Sequence, residues 1–291
     1  MAEPTDATGA PLPRGARRPR RLAVLGSPIA HSKSPALHRA AYDRLGLTDW
    51  AYERAEVGEG ELAAYLDRLG PEWRGLSLTM PLKPEALEIA DDVERLAERA
   101  GAVNTLLLAD DGSRLGFNTD IGGIVRALAD AGINEIRHGV LVGGGATAAS
   151  ALIAMAELGA LSVEVCVRDA GRAASVVELG HAMGLVIETR PIARLAEHAP
   201  ADLVISTVPG GTDLGMVPSD PIAAATLLDV AYAPWPTLLA SSWLERGGRV
   251  VHGLEMLLHQ ALLQVRIFVG GDPLAPLPDE EGVLDVMRRA L

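Results

Sequence analysis

The sequence predicts an α/β protein of two domains, with a C-terminal helix that returns to the first of them. Three observations carry this expectation. Short apolar runs alternate with helical patterns along most of the chain, as strands and crossover helices do. Near the middle, an apolar run over 139–142 passes into Gly143-Gly144-Gly145 and then an Ala-rich stretch, as though a second α/β unit began there. After a last short strand the pattern returns to one long helix over 254–269.

Taken in order, residues 22–25 read as a strand, followed by a loop and a helix from Pro35 to about Leu45, with Ser34 as cap and Pro35 in the first turn. Residues 51–57 and 76–78 read as strands with a helix over 61–69 between them, and 91–100 as helical. Residues 103–108 and 114–117 form a hairpin closed by Asp110-Asp111-Gly112. An amphipathic helix over 121–131 is ended by Gly132. In the second half, strands are expected over 139–142, 162–167, 203–206, 227–230 and 249–251, with helices from the glycines to about Leu158 and over 173–183. The division that follows is a disordered basic arm over 1–21, a first α/β domain over 22–120, a second over 121–252, and a C-terminal segment over 253–291 that packs on the first.

Composition narrows the function classes. Hydrophobic residues make up 48% of the 291 and charged ones 22%, enough to build packed cores. A net charge of −12 argues against a nucleic-acid surface and for small-molecule partners. No apolar run is long enough for a membrane span, and residues 1–21 lack the apolar segment of a secretory signal, so a cytoplasmic protein is expected. The lone cysteine, Cys166, lies in an apolar stretch and reads as core. Of 26 Lys+Arg, two are lysines, Lys33 and Lys83. In so arginine-rich a chain, a lysine reads either as a leftover or, by a small preference, as a place where a cation must be able to give up its proton, which a guanidinium does not.

The run Gly143-Gly144-Gly145-Ala146-Thr147-Ala148 fits the spacing G-x-G-x-x-A between a strand and a helix. Such a turn lets a pyrophosphate approach backbone N–H groups at the helix start, which makes a Rossmann-like dinucleotide site the preferred reading over a packing turn. At the end of the next strand, Arg168 and Arg172 suit a 2′-phosphate, whereas Asp169 suits a ribose hydroxyl. The arginines tip the reading towards NADP.

Three segments of the first domain are polar at element ends: His31-Ser32-Lys33-Ser34-Pro35, Thr79-Met80-Pro81-Leu82-Lys83 and Gly116-Phe117-Asn118-Thr119-Asp120. The first places hydroxyls at the mouth of a helix, where an anion is favoured. Together they offer hydroxyls, an amine and a carboxylate to a small polyhydroxylated acid.

These segments, with Gly101-Ala102-Val103-Asn104-Thr105 and Gly253-Leu254-Glu255-Met256-Leu257-Leu258-His259-Gln260, resemble in order and spacing the motifs of the shikimate dehydrogenase family. The resemblance spans about residues 22–268. It implies a substrate domain, a Rossmann-like NADP-binding domain and a cleft between them, and reversible reduction of 3-dehydroshikimate with NADPH in chorismate and aromatic amino acid biosynthesis. It further implies that Lys83 and Asp120 form the catalytic pair, with no metal. Ser32 and Ser34 would hold the substrate carboxylate with Tyr232 in support, and Thr79, Asn104 and Gln260 the ring hydroxyls. Gly143, Gly144, Gly145, Ala146, Thr147, Arg168 and Arg172 would bind NADP, with Val230 and Gly253 at its nicotinamide end. Domain closure would exclude water, with hinge-like segments near Asp120 and Gly253.

The chain departs from the family's common pattern at Ser77, where asparagine is usual, at Val167 and Asp169 around Arg168, at Ser206-Thr207-Val208, and at Ala146. Alternatives of the same class are an NAD-dependent quinate/shikimate dehydrogenase or an aminoshikimate dehydrogenase. One of a different class is a non-catalytic metabolite-sensing paralogue, against which both Lys83 and Asp120 speak. A monomer and a homodimer are equally compatible with the sequence.

Overall fold

A computed structural model describes residues 19–291; the proposed N-terminal arm, but for its last residues, lies outside them. The first sheet is built from β1 (Arg20–Gly26), β2 (Trp50–Glu56), β3 (Trp73–Leu78), β4 (Asp92–Val93), β5 (Thr105–Leu108) and β6 (Arg114–Phe117), in the order β2-β1-β3-β5-β6-β4. It is mixed, since only β5 runs against its neighbours β3 and β6. The helices of this half are α1 (Ser34–Arg44), α2 (Leu62–Leu66), α3 (Lys83–Ile89) and α4 (Arg95–Ala100). The helix α5 (Asp120–Asp130) leads into the second half.

The second sheet contains β7 (His138–Val142), β8 (Ser162–Val167), β9 (Val186–Pro191), β10 (Leu203–Ser206), β11 (Thr226–Asp229) and β12 (Val250–His252). All its pairings are parallel and its order is β12-β11-β10-β7-β8-β9, the doubly wound Rossmann arrangement. Its helices are α6 (Ala146–Glu157), α7 (Ala174–Ala182), α8 (Asp220–Ala223) and α9 (Leu238–Glu245), and the chain ends with α10 (Gly253–Gly270) and α11 (Glu280–Arg289). The strand order reverses between β7 and β10, so the crevice beyond their C-terminal ends is where a ligand of such a sheet sits.

Two cores flank each sheet. Val163, Val165, Leu203 and Ile205 bury one face of the second sheet against Leu152 and Met155 of α6 and Ile121 and Ile124 of α5. Leu22 and Val24 of β1 pack with Leu37 of α1, Leu258, Leu262 and Phe268 of α10, and Val283 and Met287 of α11. The C-terminal segment thus covers the first sheet, as expected. Cys166 is buried, and burial pushes its thiol up to about 12, which leaves it unreactive.

The structure corrects several local expectations. β1 begins at Arg20 rather than Leu22, because Arg20 and Arg21 already pair in register with Trp50 and Ala51 of β2; Arg20 also meets Asp110 at 2.6 Å and Arg21 meets Glu53 at 2.8 Å. Ser34 is not a cap. It is the first residue of α1, Lys33 holds the cap position, and Ser32 Oγ accepts from Ser34 N at 3.3 Å. The stretch 91–100 is not one helix, since Asp92–Val93 pairs with β6 before α4 begins.

Candidate active site

The polar segments converge because each ends or begins an element at the same edge of the first sheet. β1 delivers the loop carrying Ser32 and Ser34. β3 delivers Thr79 and then Lys83 at the start of α3, and the β6 end delivers Asp120 at the start of α5. Opposite them, α10 passes its middle turns across the opening. Gly123 makes this possible: a Cβ there would lie 2.7 Å from Gln260 Cβ and 3.0 Å from the Met256 carbonyl, so α5 and α10 touch backbone to side chain. That contact is the reason Asp120 and Gln260 share one space.

The space is a cleft of ≈ 250 Å³. Every residue expected to bind substrate lines it: Ser32, Ser34, Thr79 and Lys83 on one side, Asn104, Asp120, Tyr232 and Gln260 on the other. Thr147, Val230 and Gly253 reach it from the second half. The Gly143–Gly145 turn, Ala146, Arg168 and Arg172 lie outside the lining, at the C-terminal ends of β7 and β8.

At the bottom Lys83 Nζ donates to Asp120 Oδ2, with the two side chains only 11% and 7% exposed. The other oxygen, Oδ1, accepts from Asn104 Nδ2 at 2.8 Å. The Asn104 amide is fixed in turn: its Oδ1 accepts from Thr119 N at 2.9 Å and from Thr105 Oγ1 at 2.8 Å. Asp120 N donates to Asn118 Oδ1 at 3.0 Å, and Asn118 Nδ2 donates to Ser150 Oγ of α6 at 3.1 Å, tying the pair to the second half. A carboxylate at the first turn of α5 also suits that helix's dipole.

The sequence reading did not assign Gln264 or a role to Ser77, yet both line the cleft and are almost fully buried. Ser77 Oγ donates to Gln264 Oε1 at 2.9 Å, and Gln264 Nε2 donates to Thr105 Oγ1 at 3.0 Å, one bond from Asn104. The available signal was spacing: Gln260 and Gln264 stand four apart in a long helix and so share a face.

On the other side of the cleft, Gly143 takes φ +121°, a conformation that favours glycine, directly after β7. The helix α6 begins without any side-chain cap, and a Cβ on Gly145 would meet nothing within 4 Å. An uncapped helix start facing open space is what a pyrophosphate requires. Beside it Arg168 and Arg172 are exposed at the end of β8 and, among the described residues, have no carboxylate partner. Asp169 is otherwise engaged: its Oδ1 accepts from Gly171 N at 2.9 Å and caps the turn between the two arginines. The residues therefore fit a coenzyme that carries a 2′-phosphate, and the ambiguity that Asp169 introduced resolves towards NADP.

Comparison with known proteins agrees with this geometry. Residues 24–106 match the family model of the shikimate dehydrogenase substrate binding domain. The chain is 34% identical over 262 residues to a shikimate dehydrogenase (NADP(+)) of Sphingopyxis alaskensis, covering 88% of this chain and 93% of that one. The structure is similar to that of Mycobacterium tuberculosis shikimate dehydrogenase, with 40% identity, TM-score 0.79, and 93% and 100% of the two chains covered. It is also similar to the Thermus thermophilus shikimate 5-dehydrogenase solved in complex with NADP(H) and shikimate, with 33% identity, TM-score 0.78, and 94% and 100% covered. Family model, sequence and fold all lead to one place: this chain belongs to the shikimate dehydrogenase family.

Proposed function

We propose that the chain reduces 3-dehydroshikimate reversibly to shikimate with NADPH, a step of aromatic amino acid biosynthesis. The observation that carries this reading is the Lys83–Asp120 ion pair at the floor of a hydroxyl-lined cleft, with an uncapped helix start beyond it.

Bound NADPH supplies the hydride that reaches the ketone carbon. The chain's own work is to place the substrate and move one proton. Ser32 and Ser34, at the start of α1, bind the substrate carboxylate with Tyr232 in support, while Thr79, Asn104 and Gln260 take ring hydroxyls. Lys83 gives its Nζ proton to the oxygen that becomes the alcohol, and in the oxidative direction takes it back. Asp120, held by Asn104, keeps the ammonium aimed and binds the neighbouring hydroxyl. Gly143, Gly144, Gly145, Ala146 and Thr147 hold the pyrophosphate through backbone N–H groups, Arg168 and Arg172 the 2′-phosphate, and Val230 and Gly253 border the nicotinamide.

The domain division that accompanies this reading is 22–120, 121–252 and 253–291. Its cleft is complete within one chain, so a monomer or a homodimer serves the reaction equally. No helix among the described residues is long and apolar enough to cross a membrane, and we place the enzyme in the cytoplasm. One assay tests the whole: oxidation of shikimate and of quinate, each with NADP and with NAD. Turnover of shikimate with NADP above the other three combinations is expected; preference for quinate or NAD would overturn it.

A further inference from the structure

We propose that Tyr52 is a positioning residue for the carboxylate end of the cleft, its hydroxyl standing behind the Ser34 and Ser77 side chains and leaving the Ser34 proton free for the ligand. This rests on the reading that Ser34 binds the substrate carboxylate.

Tyr52 lies on β2, is 4% exposed and does not itself line the cleft. Its hydroxyl donates to Ser77 Oγ at 2.7 Å, and Ser77 passes the direction on by donating to Gln264 Oε1 at 2.9 Å. The Ser34 hydroxyl meets the same phenol. The phenol oxygen thus holds Ser77 directly and borders Ser34 behind the wall that both present to the ligand. The ring is held as carefully as the hydroxyl. His38 stacks on it with centroids 3.9 Å apart and planes at 15°, and His38 Nδ1 bonds the Ser34 carbonyl at 2.9 Å. Histidine, tyrosine and serine form a closed unit around the first turn of α1.

The chemistry of a phenol explains what the unit does. A phenol has one proton to give and lone pairs to accept with. Burial raises the Tyr52 hydroxyl well above the usual tyrosine range, against the opposing effect of the Ser77 and Ser34 hydroxyls, so it keeps that proton at any working pH. When a ligand carboxylate accepts a hydrogen bond from the Ser34 hydroxyl, Ser34 Oγ keeps its capacity to accept, and the phenol proton is in place to satisfy it. Ser77 Oγ then becomes free to accept from a ligand hydroxyl. The short side chain at position 77 needs Tyr52 and Gln264 to hold its hydroxyl in register, which accounts for a serine where asparagine is common.

The test is Tyr52→Phe, which keeps the ring and its stack and removes the hydroxyl. Steady-state kinetics are measured with shikimate and with its neutral methyl ester, using NADP. The KM for shikimate is expected to rise roughly 5–20-fold, the worth of one hydrogen bond with a charged ligand at stake. The kcat and the KM for NADP stay within about twofold, below the worth of one such bond, and the KM for the ester barely moves. Ser77→Ala, which leaves the phenol proton to Ser34 alone, is expected instead to raise the KM for shikimate and for the ester together, and it serves if Tyr52→Phe does not fold: a rise confined to shikimate overturns the proposal. A shikimate KM unchanged in folded Tyr52→Phe, or one that rises together with the NADP and ester values, overturns it as well and leaves Tyr52 as packing. Wild-type protein that fails to oxidise shikimate would instead overturn the functional reading on which the proposal rests.

Discussion

Lys83 and Asp120 are each the first residue of a helix, α3 and α5, and their side chains meet across the cleft floor while Asn104 holds the second carboxylate oxygen at 2.8 Å. The carboxylate accepts from the amide on one oxygen and from the ammonium on the other, so the three groups are held as one unit at the cleft floor.

Lys83→Arg preserves the charge and the pairing with Asp120 but not the ability to release a proton. The variant is expected to fold, to bind NADP and shikimate, and to lose on the order of 10²–10⁴ in kcat, the worth of general acid–base catalysis. Lys33→Arg, at the exposed cap position of α1, is the control and retains turnover. A Lys83→Arg enzyme with more than about a tenth of wild-type kcat, less than one decade of barrier change, would show that the lysine acts as an anchor only.

Arg168→Ala with Arg172→Ala removes both exposed guanidiniums at the end of β8. Each charge-assisted contact is worth roughly 1.5–3 kcal/mol, so the KM for NADP is expected to rise by at least about tenfold per arginine. The KM for NAD, which has no 2′-phosphate, stays nearly constant. Equal losses with both coenzymes in a parallel titration refute the assignment.

Ser32→Ala with Ser34→Ala removes the hydroxyls at the mouth of α1. The KM for shikimate is expected to rise while NADP affinity, read by calorimetry, holds. An unaltered shikimate KM places the acid group elsewhere in the cleft.

His38 supplies a pH dependence with a definite sign. Burial lowers it to about 4, partly offset by the bond to the Ser34 carbonyl. Its folded value is thus depressed below the unfolded 6.5, so its contribution is fully present above about pH 6.5 and is lost as pH falls towards 4. A shift of that size corresponds to roughly 3 kcal/mol. Thermal melts at pH 7, 5.5 and 4 are expected to show His38→Gln, which keeps a donor for Ser34, losing less stability on acidification than wild type. Parallel curves for the two proteins would remove His38 from the account.

The sequence was most legible where function and geometry share a signal. The alternation of strands and helices, the hairpin at Asp110-Asp111-Gly112 and the turn after β7 stand where the residues placed them. Of the eight residues read as substrate-binding, seven share one cleft because they sit at or near element ends, which glycine, proline and hydroxyl residues mark, while Gln260 reaches it from the middle of α10. Part of what escaped the reading lacked a buried stripe, although α9, which buries Leu239, Ala240 and Trp243, escaped as well. In α3 only Ala86 is buried, and Pro84 in its first turn looks like a breaker. The edge strand β9 has no buried residue to make an alternation, and α11 buries only Val283 and Met287. Gln264 and Tyr52 escaped for another reason: their partners Thr105 and Ser77 are distant in sequence, so only the folded chain pairs them.

Gly253 starts α10 so close to β11 that an added Cβ would lie 2.3 Å from the Val230 carbonyl, and the same helix carries Gln260 and Gln264 into the cleft. One continuous rod thus runs from the end of the second sheet across the cleft. At a rise of 1.5 Å per residue it sets Gly253 and Gln260 about 10 Å apart along its axis. The helix is a ruler: the spacing between the end of the second sheet and the cleft is graduated in whole residues. A single insertion between positions 253 and 260 would turn both glutamines by about 100° and out of the cleft, so this stretch can vary in composition far more readily than in length.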